Sequence, residues 1–123
     1  MASRDLQVHV SCFDPDSNKQ RIRVREGNPS VYRVFLFLAG RDLPYVDSAT
    51  YVLHPTFKNP RRTVRRTPSN PHCKLETWAW GEFPMETEVR LKTGDFEVFH
   101  HIFEFSRDIE KAKREFPSAF QYE

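Results

Sequence analysis

The feature that most constrains this fold is a succession of short segments in which apolar and polar residues alternate, each bounded by turn residues. In residues 6–12, for example, the apolar side chains fall on every second position: Leu6, Val8, Val10 and Cys12. A repeat of two residues is that of a β-strand, because successive side chains of a strand point to opposite faces. Similar segments recur along most of the chain, which predicts an all-β protein.

The alternation and the intervening turns place the strands along the sequence. We predict strands at residues 6–12, 20–25, 31–39, 46–53, 63–66, 74–80, 85–92 and 96–105. The third of these is almost continuously apolar, as is typical of a central strand, and a Thr-Gly-Asp turn joins the last two as a hairpin. Seven or eight strands of this spacing favour an immunoglobulin-like β-sandwich.

The pattern changes after residue 105, where a short C-terminal helix is predicted at about residues 107–115. Ser106 is a suitable N-cap, Asp108 falls in the first turn, and residues 109–115 are rich in helix formers. The chain of 123 residues is long enough to bury one core, to which its eleven Phe contribute much of the volume. We therefore expect one domain over residues 1–123.

The composition indicates where the protein is located in the cell and whether its cysteines are reduced. No apolar run approaches the roughly 20 residues that a membrane-spanning helix needs, and the N-terminus does not resemble a signal peptide. We expect a cytoplasmic protein, or a nuclear one if its source is eukaryotic, with no membrane partner. In that setting Cys12 and Cys73 are expected to be buried, reduced thiols.

The residues that carry chemistry in other proteins lack the required spacing here. His100 and His101 are adjacent on a predicted strand, so they point to opposite faces and cannot share a metal ion. No nucleophile motif and no phosphate-binding loop is present. Glu82 and His54 could act as a general acid-base pair only if their two loops met. We predict no metal site, no cofactor and no enzymatic activity.

Two turns instead place aromatic rings beside polar hydrogen-bonding groups. A His-Pro-Thr-Phe turn at residues 54–57 follows one β-patterned run, and a Trp-Gly-Glu-Phe turn at residues 80–83 follows another. Both turns are therefore expected on loops at the end of a sheet. Two such loops could meet and form a pocket.

The same turns carry a family resemblance. The sequence Tyr-Val-Leu-His-Pro-Thr-Phe-Lys-Asn-Pro at residues 51–60 and the sequence Trp-Gly-Glu-Phe-Pro at residues 80–84 resemble the YEATS domain family, particularly its prokaryotic-type members. The resemblance extends from about residue 31 to residue 105 and includes the Phe-Leu-Phe-Leu-Ala-Gly strand end at residues 35–40. It implies an immunoglobulin-like sandwich and a non-enzymatic module that binds acetylated or crotonylated lysine in an aromatic pocket.

The resemblance assigns the binding residues. Two matched loops supply them: His54, Thr56 and Phe57, then Trp80, Gly81 and Phe83. It implies that Phe57 and Trp80 stack on the planar acyl amide, that the Thr56 hydroxyl accepts the amide N–H, and that the Trp80 backbone donates to the acyl carbonyl. His54 would orient the hydroxyl, and Tyr32 is the candidate for a further aromatic wall.

Two alternatives stay open. In one, the aromatic residues belong to the sandwich core, and the chain is a protein–protein interaction domain that uses its surface and edge strands without an acyl-lysine pocket. In the other, nucleic acid or another polyanion binds a basic segment that contains Arg61, Arg62, Arg65 and Arg66. This segment directly follows the first pocket loop and would repel a Lys- and Arg-rich tail, so we expect an acylated partner other than a histone tail.

Overall fold

A computed structural model describes residues 5–17 and 21–122 and shows a predominantly β protein. In this part of the chain there are nine strands: β1 (Gln7–Ser11), β2 (Ile22–Arg25), β3 (Val31–Ala39), β4 (Val46–Val52), β5 (Arg61–Arg65), β6 (Leu75–Ala79), β7 (Phe83–Leu91), β8 (Phe96–Phe103) and β9 (Phe120–Tyr122). One α-helix, α1 (Ser106–Glu115), precedes the last strand. The predicted immunoglobulin-like sandwich with a short C-terminal helix is confirmed.

The first sheet is built around β3, the predicted central strand. β1 pairs antiparallel with the C-terminal half of β3, and β2 pairs with its first two residues. β6 covers the opposite edge, because Tyr32 lies opposite both Val24 of β2 and Ala79 of β6. β9 extends the sheet beyond β2 and runs parallel to it.

The second sheet is antiparallel, in the order β5-β4-β7-β8. A bulge interrupts the pairing of β4 with β7 between Val46 and Ser48. The predicted hairpin joins β7 to β8, where the N–H of Leu91 donates to the carbonyl of Asp95 at 2.8 Å. Gly94 has a φ of +94° in this turn, a conformation that glycine adopts without steric penalty.

The inward-facing side chains of the two sheets form the core. The fully buried large residues come from both sheets: Ile22, Val34, Leu36 and Leu38 from the first, and Val46, Tyr51, Val89 and Phe103 from the second. The Tyr51 hydroxyl donates to the backbone carbonyl of Cys73 at 2.7 Å, so its polar end is satisfied inside the core.

The two cysteines are free and buried, as expected. Burial raises the pKa of the Cys12 thiol far above its usual value and that of Cys73 to about 11. Both thiols therefore stay protonated and unreactive in the folded protein.

The strand boundaries lie within two residues of those predicted, apart from residue 20, which lies outside the described residues. β9 was not predicted, because it is held by pairing with a distant strand and its three residues are too few to establish an alternation. The prediction that Ser106 caps α1 is wrong: Phe105 occupies the N-cap, and its side chain makes no capping bond. No helix among the described residues has the length and apolar character needed to span a membrane.

Candidate ligand-binding pocket

The two aromatic turns converge on one cavity of about 190 Å³ at an end of the sandwich. Its lining consists of His54, Thr56, Phe57, Trp80, Gly81, Glu82 and Phe83. All six residues that the sequence assigned to the two loops are thus brought together around the same space. The first loop follows β4 of the second sheet, whereas the second loop carries the chain from β6 of the first sheet to β7 of the second.

The first pocket loop is a hydrogen-bonded β-turn. The backbone N–H of Phe57 donates to the carbonyl of His54 at 2.9 Å. Pro55 fills the second position of this turn, where its fixed φ is favourable. Below the turn, the N–H of Leu53 donates to the carbonyl of Pro60 at 2.7 Å, which closes the loop at its base. The loop is therefore held in shape by bonds within its own short segment.

His54 and Thr56 form the polar pair of this loop. The Thr56 backbone N–H donates to His54 Nδ1 at 3.2 Å, and the Thr56 hydroxyl oxygen lies 2.9 Å from the same nitrogen. Because Nδ1 accepts a bond from the backbone, it carries no proton, so the hydroxyl must donate its own proton to it. The lone pairs of Thr56 Oγ1 are then left to accept an N–H from a ligand.

Phe83 connects the pocket to the core. Its ring stacks on that of Phe103, with the centroids 4.7 Å apart and the planes 8° apart, and Phe103 is fully buried. The rings of His54 and Phe57 lie 5.6 and 5.7 Å from that of Phe83. The pocket floor is thus one aromatic cluster continuous with the core, which fixes the rings that face the cavity.

Trp80 forms the exposed wall. It follows Ala79, the last residue of β6, and 65% of its surface is accessible. In the described part of the chain, the ring of Phe57 packs against those of Phe83 and Phe103 and not against that of Trp80. A Cβ at Gly81 would meet no atom within 4 Å, so the backbone beside Trp80 is open to approach.

Glu82 links the second pocket loop to α1. One oxygen of its carboxylate accepts the backbone N–H groups of Phe105 and Ser106, at 2.7 and 3.1 Å. This carboxylate therefore caps the helix in place of a local side chain, where the helix dipole favours a negative charge. The acid-base pair with His54 that was considered from the sequence is not formed. Sequence reasoning missed this cap because its partners are 23 and 24 residues away.

Asp108 fixes the same helix to the first sheet. Its Oδ2 accepts hydrogen bonds from the hydroxyl of Ser11 at 2.8 Å and from the backbone N–H of Cys12 at 2.9 Å. The first turn of α1 is therefore bonded to β1 through one carboxylate and to the pocket loop through another.

Tyr32 lies outside the pocket lining. Its ring packs against Phe105, with the centroids 5.8 Å apart, and it contacts the core from β3. The structure therefore does not bring this residue together with the other predicted pocket residues.

Each of the four arginines in the basic segment has a partner within the chain. Arg61 forms an ion pair with Glu88 at 2.8 Å, and Arg65 forms one with Asp47 at 3.6 Å. The other two, Arg62 and Arg66, donate hydrogen bonds to backbone carbonyl oxygens. The two ion pairs offset part of the positive charge that the segment presents to a polyanion, whereas the bonds of Arg62 and Arg66 to carbonyl oxygens leave their charge in place.

The adjacent histidines occupy different surroundings. His101 is half-buried, with Nε2 2.7 Å from the hydroxyl oxygen of buried Thr87, whereas His100 is exposed beside Glu86. Burial lowers the pKa of His101 below its usual value. Over residues 5–17 and 21–122, no group of three or more His, Cys, Asp and Glu is arranged to hold a metal ion.

The fold and the cavity define an immunoglobulin-like β-sandwich domain with an aromatic pocket between two loops. The model of the prokaryotic YEATS domain matches residues 32–103 of this chain. The chain belongs to the prokaryotic YEATS domain family.

A curated relative and two solved structures are similar to the chain. Transcription initiation factor TFIID subunit 14 of Schizosaccharomyces pombe is 38% identical over 89 residues, which make up 69% of this chain and 34% of that protein. The chain thus spans about a third of the length of this relative.

Both structures are of Yaf9, and they support the fold. The crystal structure of the yeast AF-9 homolog Yaf9 has a TM-score of 0.54 and 18% identity, covering 83% of this chain and 67% of that one. The Yaf9 YEATS domain recognizing an H3K122suc peptide has a TM-score of 0.52 and 20% identity, covering 63% of this chain and 61% of that one.

Proposed function

We propose that this chain is a non-enzymatic recognition module that binds acylated lysine, such as acetyl- or crotonyl-lysine, or a similar planar amide. The observation that carries the proposal is the convergence of six residues from two separate loops on one aromatic cavity. Family membership adds support, since the Yaf9 YEATS domain recognizes an H3K122suc peptide.

Stacking is the main attractive interaction in this mechanism. The acyl amide is planar and neutral, and it enters between the ring of Phe57 on the floor and that of Trp80 at the rim. Trp80 is largely exposed without a ligand, so covering its face removes apolar surface from water.

Hydrogen bonds set the orientation of the amide. Thr56 Oγ1 accepts the ligand N–H, because the Thr56 hydroxyl proton is directed to His54. The backbone N–H of Trp80 donates to the acyl carbonyl. Both polar atoms of the amide then have partners inside the pocket, which avoids the free-energy penalty of burying them unpaired.

Acylation is the event that the pocket discriminates. An unmodified lysine carries an ammonium group that must be desolvated and that needs a carboxylate as partner. Glu82 supplies the carboxylate of the lining, and its Oε2 already accepts two backbone N–H groups of α1. We therefore propose an acylated peptide or protein as the partner and weak binding of the unmodified form.

The segment after the first loop would repel a histone tail through its positive charge, but less strongly than its sequence suggests. Ion pairs of Arg61 and Arg65 with carboxylates offset part of that charge. Acylated peptides of both acidic and basic sequence are therefore appropriate ligands to test.

The test is a calorimetric titration with matched peptides that carry unmodified, acetylated or crotonylated lysine, at low and high salt. We expect acyl-dependent affinity that changes little with salt, and a loss of at least about tenfold in Trp80→Ala. Trp78→Ala is the matched control, since Trp78 packs under the Arg25 guanidinium, 4.2 Å away, on the first sheet. A folded Trp80→Ala protein that keeps full affinity would refute the proposal.

A further inference from the structure

The last strand of the second sheet has a free edge. β8 pairs with β7 along its whole length, and no other strand of the described chain pairs with it. The unpaired edge of a strand presents backbone N–H and C=O groups that can bind another strand. Many proteins protect such an edge with lysine or proline, but β8 (Phe96–Phe103) contains neither residue.

The outer face of β8 is mostly apolar. Phe96, Val98 and Ile102 alternate along the strand, and 60%, 47% and 53% of their surfaces are exposed. His100 completes the row and is also exposed. An edge that combines unpaired backbone groups with exposed apolar side chains has the features of a strand-pairing surface.

The hairpin shows which backbone groups of β8 are free. The bond from the Leu91 N–H to the Asp95 carbonyl marks this pair as a hydrogen-bonded one. Hydrogen-bonded and non-hydrogen-bonded pairs alternate in an antiparallel ladder, so the even-numbered residues of β8 direct their groups away from β7. The pairing of Ile102 with Pro84 agrees with this, because proline has no N–H to donate.

We propose that the free edge of β8 binds β8 of a second copy of this chain, antiparallel and centred on Phe99. This register makes Phe96 and Ile102 of opposite copies a hydrogen-bonded pair, and likewise Val98 and His100. All of these have their backbone groups directed to the free edge. The two four-stranded sheets then become one continuous eight-stranded sheet with two-fold symmetry.

Hydrogen-bond complementarity favours a second copy as the occupant. In the same register, Glu97 of one copy lies opposite His101 of the other, and this contact occurs twice. Glu97 Oε2 is buried without a hydrogen-bond partner within the described chain, so the carboxylate gains a hydrogen bond if it turns toward a donor at the new edge. In the paired sheet, Glu97 and His101 thus form a polar contact on the inner face, and Phe96 and Ile102 form an apolar contact on the outer face. The proposal does not depend on the proposed function.

The association test is sedimentation analysis from micromolar to millimolar concentrations. We expect a concentration-dependent dimer in the wild type and at least about a tenfold higher dissociation constant in Val98→Lys, which places a charge on the pairing surface. Tyr122→Lys is the matched control, because Tyr122 is 63% exposed on a strand of the other sheet. A monomeric wild type, or unchanged association of Val98→Lys, would overturn the proposal.

Cysteine substitution tests the register. Two copies of residue 99 would form a non-hydrogen-bonded pair with Cα atoms about 4.5 Å apart, which suits a disulfide. We expect a disulfide-linked dimer from Phe99→Cys under mild oxidation and none from Ser118→Cys, an exposed site away from β8. If Phe99→Cys does not fold, Glu97→Cys/His101→Cys probes the same register. A folded cysteine variant that remains unlinked while the wild type dimerises excludes this register.

Discussion

Replacement of Glu82 by alanine should destabilise the fold, although this residue lies on a loop. Its Oε2 accepts the N–H groups of Phe105 and Ser106 at 2.7 and 3.1 Å, and no side chain at the N-cap takes over this role. Removal of a helix cap costs about 0.5–2 kcal/mol, and the lost interaction with the helix dipole costs about 0.3–1 kcal/mol. Because the carboxylate is partly exposed, we expect about 1–2 kcal/mol in total.

The measurement is urea and thermal unfolding followed by circular dichroism. For a domain of this size each 1 kcal/mol lowers Tm by about 3–6 °C, so Glu82→Ala should unfold about 3–12 °C below the wild type. Glu82→Gln keeps an acceptor oxygen and should lose about half as much. Glu86→Ala is the control, since the ion pair that Glu86 forms in the described chain is with an exposed histidine. If Glu82→Ala is as stable as Glu86→Ala, the carboxylate does not cap the helix.

Four further outcomes follow from individual contacts. Thr56→Val should weaken acyl-lysine binding about fivefold or more in calorimetry, because the amide N–H loses its acceptor; unchanged affinity would exclude that bond. Tyr51→Phe should lower the free energy of unfolding by about 1–3 kcal/mol in urea, since the Cys73 carbonyl loses its buried donor. Ellman's reagent should titrate Cys12 and Cys73 only after denaturation; reaction in the native state would contradict their burial. Burial lowers the pKa of His101 below its usual 6.5. As the pH drops below about 6.5, the unfolded chain therefore protonates this histidine before the folded chain does, and the free energy of unfolding falls. His101→Gln should therefore show a shallower loss of unfolding free energy on acidification, and an equal slope would argue against this origin.

Local pattern was sufficient for most of the fold. Alternation identified the strands and the nearly continuous apolar run identified β3, because both signals arise from which faces of a strand are buried. β9 (Phe120–Tyr122) and the cap from Glu82 have no comparable local signal. Each depends on a partner brought near by the completed fold, and the sequence around each one is compatible with other structures.

The pocket, too, was predictable only where its residues carry a local signal. The two turns were recognisable from their aromatic and polar residues, and the structure brings them around one cavity. The placement of Tyr32 could not be judged, because it depends on the register of β3 against its neighbours. That register directs the ring to Phe105 and the core.

The two pocket loops differ in how freely they can be redesigned. The first loop is closed at its base by the hydrogen bond from Leu53 to Pro60, so its exposed residues can be varied without affecting how the two sheets are joined. The second joins one sheet to the other and holds the start of α1 through Glu82, so changes there also affect the assembly of the domain. A library aimed at new ligand preference should therefore randomise Thr56 and its neighbours first and keep residues 80–83 constant.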